Sequence, residues 1–301
     1  MTALTTTFRP GRPVPVRSIL GSLRRGAGDP TWRADATGLW RASQTPEGPV
    51  TTRFLVRPEG VEVTAWGPGA GWAIAQSPRL LGEVDDVSGF EIHHAVLREA
   101  ARQHRDWRIG RTDRVLDALI PAIIEQRVTG KQAFGAYRRL VQRYGARAPG
   151  PRTDLMVPPP VSGWARIPSW EWLRAGVDAA RSDTIMRALR VAERLEEAVS
   201  LPVPDAWRRL RTVPGIGVWT AAETLQRAIG DPDAVSFGDY HVAKDVGFAL
   251  TGAPVDDAGM QELLAPYAGH RFRVQYLVTA GGLGAPRRGA RLTLPTHLPA
   301  W

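Results

Sequence analysis

The 301 residues contain no cysteine, which rules out disulfides, thiolate-bound zinc and iron–sulfur clusters. Lysine is scarce as well. Only Lys131 and Lys244 occur among 39 basic residues, so arginine carries the positive charge. No uncharged apolar run reaches the ~18 residues of a membrane-spanning helix, and the opening MTALTTTFRPGRPVPV lacks the apolar core of a secretory signal. The expectation is a protein without membrane contact, working in the cytoplasm beside the nucleoid. There is no glycine-rich nucleotide loop with a following lysine, which argues against an NTPase. His93, His94 and His104 fall on one predicted helix without carboxylates at ligand spacing, so no metal site is expected.

What is present is basic. The net charge is +9, with 43% hydrophobic and 23% charged residues, the composition of a globular protein. After Glu262 there is no acid, yet Arg271, Arg273, Arg287, Arg288 and Arg291 follow. Such a balance favours a polyanionic partner, although arginine-rich codon usage produces the same signal.

Residues 1–90 read as a small mixed α/β domain. Residues 19–23 suit a short helix, and 39–43, 51–56 and 61–66 read as strands. Arg57-Pro58-Glu59-Gly60 makes the turn between the last two. Val61, Val63 and Ala65 alternate with Glu62 and Thr64, which predicts a sheet with one wet face. Residues 67–71 read as a loop and 84–89 as a boundary. Helical periodicity then predicts helices over 92–104, 113–126, 131–144, 169–174 and 183–198, with Ser169 and Ser182 as caps. Pro158, Pro159 and Pro160 form a stiff connector within this second region, 91–301.

The most informative stretch runs from Val203 to Gly252. A helix capped by Asp205 leads into Pro214-Gly215-Ile216-Gly217, where proline stops it and the glycines suit a tight hairpin. A second helix follows from Val218 to Ile229 and stops at Gly230, completing a helix–hairpin–helix over 205–230. Amides at the head of that second helix form an anion site that accepts phosphate without a dedicated side chain. The alternative is an ordinary corner of an all-α core. Asp239 then stands in Phe237-Gly238-Asp239-Tyr240-His241, just before a third helix marked by Val242, Val246 and Leu250. It reads either as an N-cap or as a carboxylate at the mouth of a cleft.

VPGIGVWTA followed by FGDYHVAK resembles the helix–hairpin–helix DNA glycosylase superfamily, in particular its 3-methyladenine DNA glycosylase II branch. The resemblance implies an α+β fold, mainly helical, with a small N-terminal β-sheet domain beside two helical lobes. It implies a monofunctional enzyme that flips alkylated purines out of double-stranded DNA and hydrolyses the N-glycosidic bond in base excision repair, as a monomer. A non-catalytic helix–hairpin–helix protein that binds bent or damaged DNA is the other reading. On the resemblance Asp239 is catalytic. Gly215, Ile216, Gly217 and Thr220 form the phosphate-binding hairpin, with Lys131 and Lys244 as further DNA contacts. Trp219 stands where bifunctional members carry a nucleophilic lysine, so no Schiff base forms there. Gln126 and Arg127 fall on the loop that enters the minor groove, as the glutamine filling the flipped nucleotide's space and as the wedge, though an arginine wedge departs from the usual apolar one. No cofactor is implied beyond a structural monovalent cation at the hairpin carbonyls.

Trp219 and Tyr240 are the candidate pocket walls for a cationic base. Three positions that carry pocket aromatics in the family are Ser22, Glu223 and Gly281 here, a more polar pocket. Glu223 lies one turn beyond Trp219, so its carboxylate is expected to favour a positively charged purine over hypoxanthine.

Overall fold

The computed structural model describes residues 2–286; Met1 and residues 287–301, with Arg287, Arg288 and Arg291, lie outside the described residues. The chain opens with β1 (Leu4–Phe8), α1 (Val16–Leu20), β2 (Trp32–Asp35), β3 (Gly38–Thr45), β4 (Gly48–Arg57), β5 (Gly60–Trp66) and α2 (Ala70–Leu80). It continues through α3 (Leu97–Gln103), α4 (Val115–Ile124), α5 (Gly130–Tyr144), β6 (Ala146–Arg147), β7 (Met156–Val157), α6 (Val161–Ala165) and α7 (Ser169–Ala175). Then come α8 (Ala179–Arg190), α9 (Ala192–Glu196), α10 (Val203–Arg211), α11 (Val218–Ala228), α12 (Val242–Thr251), α13 (Asp257–Leu264) and α14 (Arg271–Ala280). This is the expected α+β architecture.

The five-stranded sheet has the order β1-β5-β4-β3-β2 and is antiparallel throughout. Phe54 pairs with Val63 and Val56 with Val61, so the β4–β5 hairpin keeps the predicted register. Three elements are additions to the sequence reading. β1 is a threonine-rich strand without apolar alternation, and it gains its place only by pairing along β5. β2 is the short far edge beside β3. The third, α2, contains Gly71 and Pro78, and it forms because Ala70 and Ala73 pack on Val50 and Ala65 of the sheet.

The second face of the sheet is wet only in part, around the half-buried Arg53–Glu62 pair. Trp40 and Trp66 stack there at 5.4 Å, and Leu155 and Val157 from the β6–β7 hairpin close over them. The alternation was present, but the cover comes from residues about 90 positions downstream, beyond the reach of a local pattern. On the opposite face Phe8, Phe54, Val61 and Val63 share a core with Leu80, Leu81, Trp107 and Ile109, so packing continues past the 84–89 segment. A buried ion pair, Arg273 to Asp85 at 2.7 Å, ties that segment to α14.

The helices form two lobes. The larger, α4–α11, is built on Leu119, Ile123, Leu140, Trp172, Ile185, Leu210 and Leu225. The smaller joins α3 to α12–α14 through Leu97, Val246, Met260, Leu264 and Leu277. The helix expected over 92–104 begins only at Leu97, because the backbone N–H groups of His93 and His94 donate to the Tyr267 hydroxyl instead. Ser169 and Ser182 are not caps. Pro168 precedes α7, and the Asp178 carboxylate caps α8 by accepting from the Arg181 amide at 3.0 Å. Asp205 likewise sits in the first turn of α10, where a carboxylate favours the helix dipole, and not at the cap. Among the described residues, no helix is long and apolar enough to cross a membrane.

Candidate active site and nucleic-acid interface

α10 ends at Arg211 and the chain turns through Thr212–Gly217, closed by the Ile216 amide donating to the Val213 carbonyl at 3.0 Å. The two glycines do different work. Gly215 has φ +98°, and a Cβ there would lie 2.2 Å from Thr184 Oγ1, so both conformation and space demand glycine. Gly217 is extended, and a Cβ there would meet nothing within 4 Å. It is the N-cap of α11 and offers no side chain to cap it. Among the described residues, the amides of Gly217, Val218, Trp219 and Thr220 find no protein acceptor. At the positive end of this eleven-residue helix Gly217 and Val218 are exposed, Trp219 is half-buried and Thr220 is buried, so the leading amides make a candidate anion cradle.

The hairpin's other predicted contacts are placed differently. Ile216 is buried in the large-lobe core, and Thr220 is buried as well, so neither side chain reaches outward; they anchor the hairpin from beneath. The Gln126 amide donates to the Gly215 carbonyl at 3.0 Å and to Thr220 Oγ1 at 2.8 Å. Its side chain is therefore a strut between the α4–α5 loop and the hairpin, and does not project to fill a vacated nucleotide position. Arg127 beside it is exposed at φ +55°, a left-handed conformation that costs about 1–3 kcal/mol for a non-glycine residue. The loop then closes on a capping box, with Thr129 Oγ1 accepting from the Gln132 amide and Gln132 Oε1 from the Thr129 amide. Lys131 is exposed in the first turn of α5. Arg187, absent from the sequence reading, donates from α8 to the Pro214 carbonyl at 3.2 Å and adds charge to the hairpin rim. With a guanidinium on the Pro214 carbonyl and an amide on the Gly215 carbonyl, these oxygens make a poor cradle for a monovalent cation.

Asp239 lies across the seam between the lobes. Its Oδ2 accepts from the Trp219 indole Nε1 at 3.1 Å, and its Oδ1 accepts from the amides of His241 and Val242 at 2.8 and 3.1 Å. It thus caps the turn entering α12, as one of the two readings of the sequence has it, and faces the head of α11 at once. Among the described residues, no arginine, lysine or histidine forms an ion pair with Asp239, so its charge is held by dipoles alone.

The loop that delivers Asp239 is fixed from behind. Asp231 accepts from Trp207 Nε1 at 2.9 Å, and burial pushes its carboxyl up from the usual range. Ser236 Oγ accepts from Gln226 and Gln275 and donates to Glu223 Oε1 at 2.5 Å.

The pocket differs from expectation in two respects. Tyr240 is 75% exposed, and the Lys244 ammonium sits 3.9 Å from its ring centroid, so a cation already covers one face. Glu223 is not an uncompensated carboxylate, because Arg227 Nη1 pairs with its Oε2 at 2.8 Å while Arg227 Nε donates to the Ser22 carbonyl. Arg227 itself was missed, although its position one turn beyond Glu223 was the available signal. Ser22 and Glu223 are brought together through Arg227. Gly281 has no room for a side chain, since a Cβ would lie 2.8 Å from Ala100 Cβ.

No family model matches the sequence, and no curated protein matches it. Solved structures do match. A 3-methyladenine DNA glycosylase from Archaeoglobus fulgidus superposes with a TM-score of 0.71 at 18% identity, covering 92% of this chain and 97% of that one. An 8-oxoguanine glycosylase/lyase from Clostridium acetobutylicum, in complex with double-stranded DNA, gives 0.65 at 15% identity over 88% of this chain and 90% of that one. A Schizosaccharomyces pombe 3-methyladenine DNA glycosylase in complex with abasic DNA gives 0.51 at 17% identity over 64% of this chain and 93% of that one. The fold is that of the helix–hairpin–helix DNA glycosylases.

Proposed function

We propose that this chain is a monofunctional DNA glycosylase that acts on double-stranded DNA in base excision repair as a monomer, removing alkylated purines. The observation that supports it most is Asp239: a carboxylate without an ion-pair partner, oriented by Trp219, His241 and Val242 beside the free amides of the hairpin helix. The amides, Arg187, Lys131 and the exposed Arg127 loop hold the backbone and open the stack. Extruding the nucleotide costs roughly a few kcal/mol, least at a damaged pair.

In the cleft the C1′–N bond breaks with its electron pair going to the base, and C1′ gains oxocarbenium character that the Asp239 charge stabilises. Water then adds to C1′ and loses its proton to solvent. As oriented, Asp239 accepts three hydrogen bonds and gives none. That suits a base that needs no proton to leave, which an N3- or N7-alkylpurine already carrying positive charge provides. Trp219 occupies the place where a lysine would form a Schiff base, and neither Lys131 nor Lys244 contacts Asp239, so strand cleavage by that route is not expected.

The cap role of Asp239 alone also fits a DNA-binding protein without catalysis. Incubation with methylated duplex, with mass detection of free bases, separates the two. Release of methylpurines with the strand left alkali-labile but intact is expected. Tight binding without any released base would overturn the enzyme.

A further inference from the structure

We infer that the Glu223–Arg227 pair reads the hydrogen-bonding edge of the flipped base and makes the pocket selective for a guanine-derived lesion; this rests on the glycosylase reading above. Trp219, Glu223 and Arg227 lie four residues apart on one face of α11, at a rise of about 6 Å per step. Two are tied to the loop that delivers Asp239 and the third to the N-terminal segment. Trp219 bonds Asp239, Glu223 bonds Ser236, and Arg227 bonds Ser22. A base whose C1′ lies beside Asp239 therefore rests along this stripe.

The pair is neither solvated nor sealed, since both side chains are 13% exposed. Part of its hydrogen-bonding capacity is left over. Arg227 Nε and Nη1 have acceptors, but among the described residues Nη2 has none and is not enclosed. Glu223 takes one hydrogen bond from Ser236 and pairs with one guanidinium nitrogen, leaving lone pairs on both oxygens. A donor from arginine beside an acceptor from glutamate is the complement of guanine, which offers O6 as acceptor and N1–H and N2–H as donors. An adenine ring held in the same orientation, with Arg227 at its C6 end, sets an amino donor against the guanidinium and a bare N1 against the carboxylate, and leaves both protein groups unmatched. Ring charge is a weak discriminator here, because the ion pair is neutral as a unit. This replaces the expectation that Glu223 alone attracts a cationic purine.

The test uses one duplex treated with a methylating agent, which carries N7-methylguanine and N3-methyladenine together, and follows both free bases by mass under single-turnover conditions. Arg227→Met is expected to lower the ratio of N7-methylguanine to N3-methyladenine release about tenfold, the scale of one good base contact. Glu223→Gln should move the ratio in the same direction. Arg227→Lys, which keeps the pair with Glu223, should fall between and carries the test if Arg227→Met melts well below the parent. An unchanged ratio, with both rates falling together, would overturn edge reading and leave a purely structural pair. Failure of the parent protein to release either base would instead remove the glycosylase reading, and this inference with it.

Discussion

α5 and α11 begin on either side of the Gln126 strut, and they begin in opposite ways. α5 is closed by a reciprocal capping box in which Thr129 and Gln132 satisfy each other's amides. α11 starts at Gly217 with four amides left over. α8 and α13 are capped by Asp178 and Asp256, whereas α6 and α10, like α11, begin without a side-chain cap. A helix end without a cap leaves amides that an external acceptor can fill, and on the proposed reading the head of α11 is where a phosphate sits. Asp239 stands between the extremes, a cap whose remaining charge faces the cleft.

The comparison breaks most sharply at Asp239. Asn keeps an acceptor for the His241 and Val242 amides but removes the charge, so Asp239→Asn should lower base release at least about a hundredfold while DNA affinity stays within about tenfold. Single-turnover release at the parent rate would show that the cap was the residue's whole role.

A second substitution inverts the contrast itself. Gly217 is extended with free space at its Cβ, so Gly217→Asp should supply α11 with the cap it lacks. Stability should rise by only about 0.3 kcal/mol, the scale of a glycine-to-aspartate cap exchange, and duplex affinity should fall about tenfold or more because a carboxylate now occupies the phosphate site. Melting curves and fluorescence anisotropy at two salt concentrations check both halves. A gain in stability without loss of affinity would mean that the amides are not the anchor. Gly215→Ala is its counterpart, losing stability through positive φ and the Thr184 contact before any effect on DNA can be assigned.

The smallest effect belongs to the closed end. Thr129→Ala should cost about 1 kcal/mol of stability, read by urea denaturation, and leave the salt dependence of duplex binding unchanged. A changed salt slope would place phosphate at α5 too.

The hairpin, the helix behind it and Asp239 were legible because proline, glycine and helical period act over a few residues. Exposure was not. Ile216 and Thr220 lie in the motif, but only the packing of α11 against the large-lobe core decides that their side chains point inward. The partners of Glu223 and Gln126 were not foreseen for a related reason. Each is defined by a partner chosen in three dimensions, Arg227 with Ser236 in one case and the Gly215 carbonyl in the other. α2 and the covered sheet face were hidden because distant segments supply the apolar surface that stabilises them.

The Gln126 strut has a consequence for how damage would be found. The Gln126 side chain fastens the arginine-bearing turn to the hairpin, so on the proposed reading the two would advance on a duplex as one stiff probe with little loop ordering left to do on contact. On the proposed reading, the energy for opening the helix then comes from the weakness of the lesion pair. Encounter is sampled at the rate at which such pairs breathe, and sound DNA passes under a probe too rigid to force it.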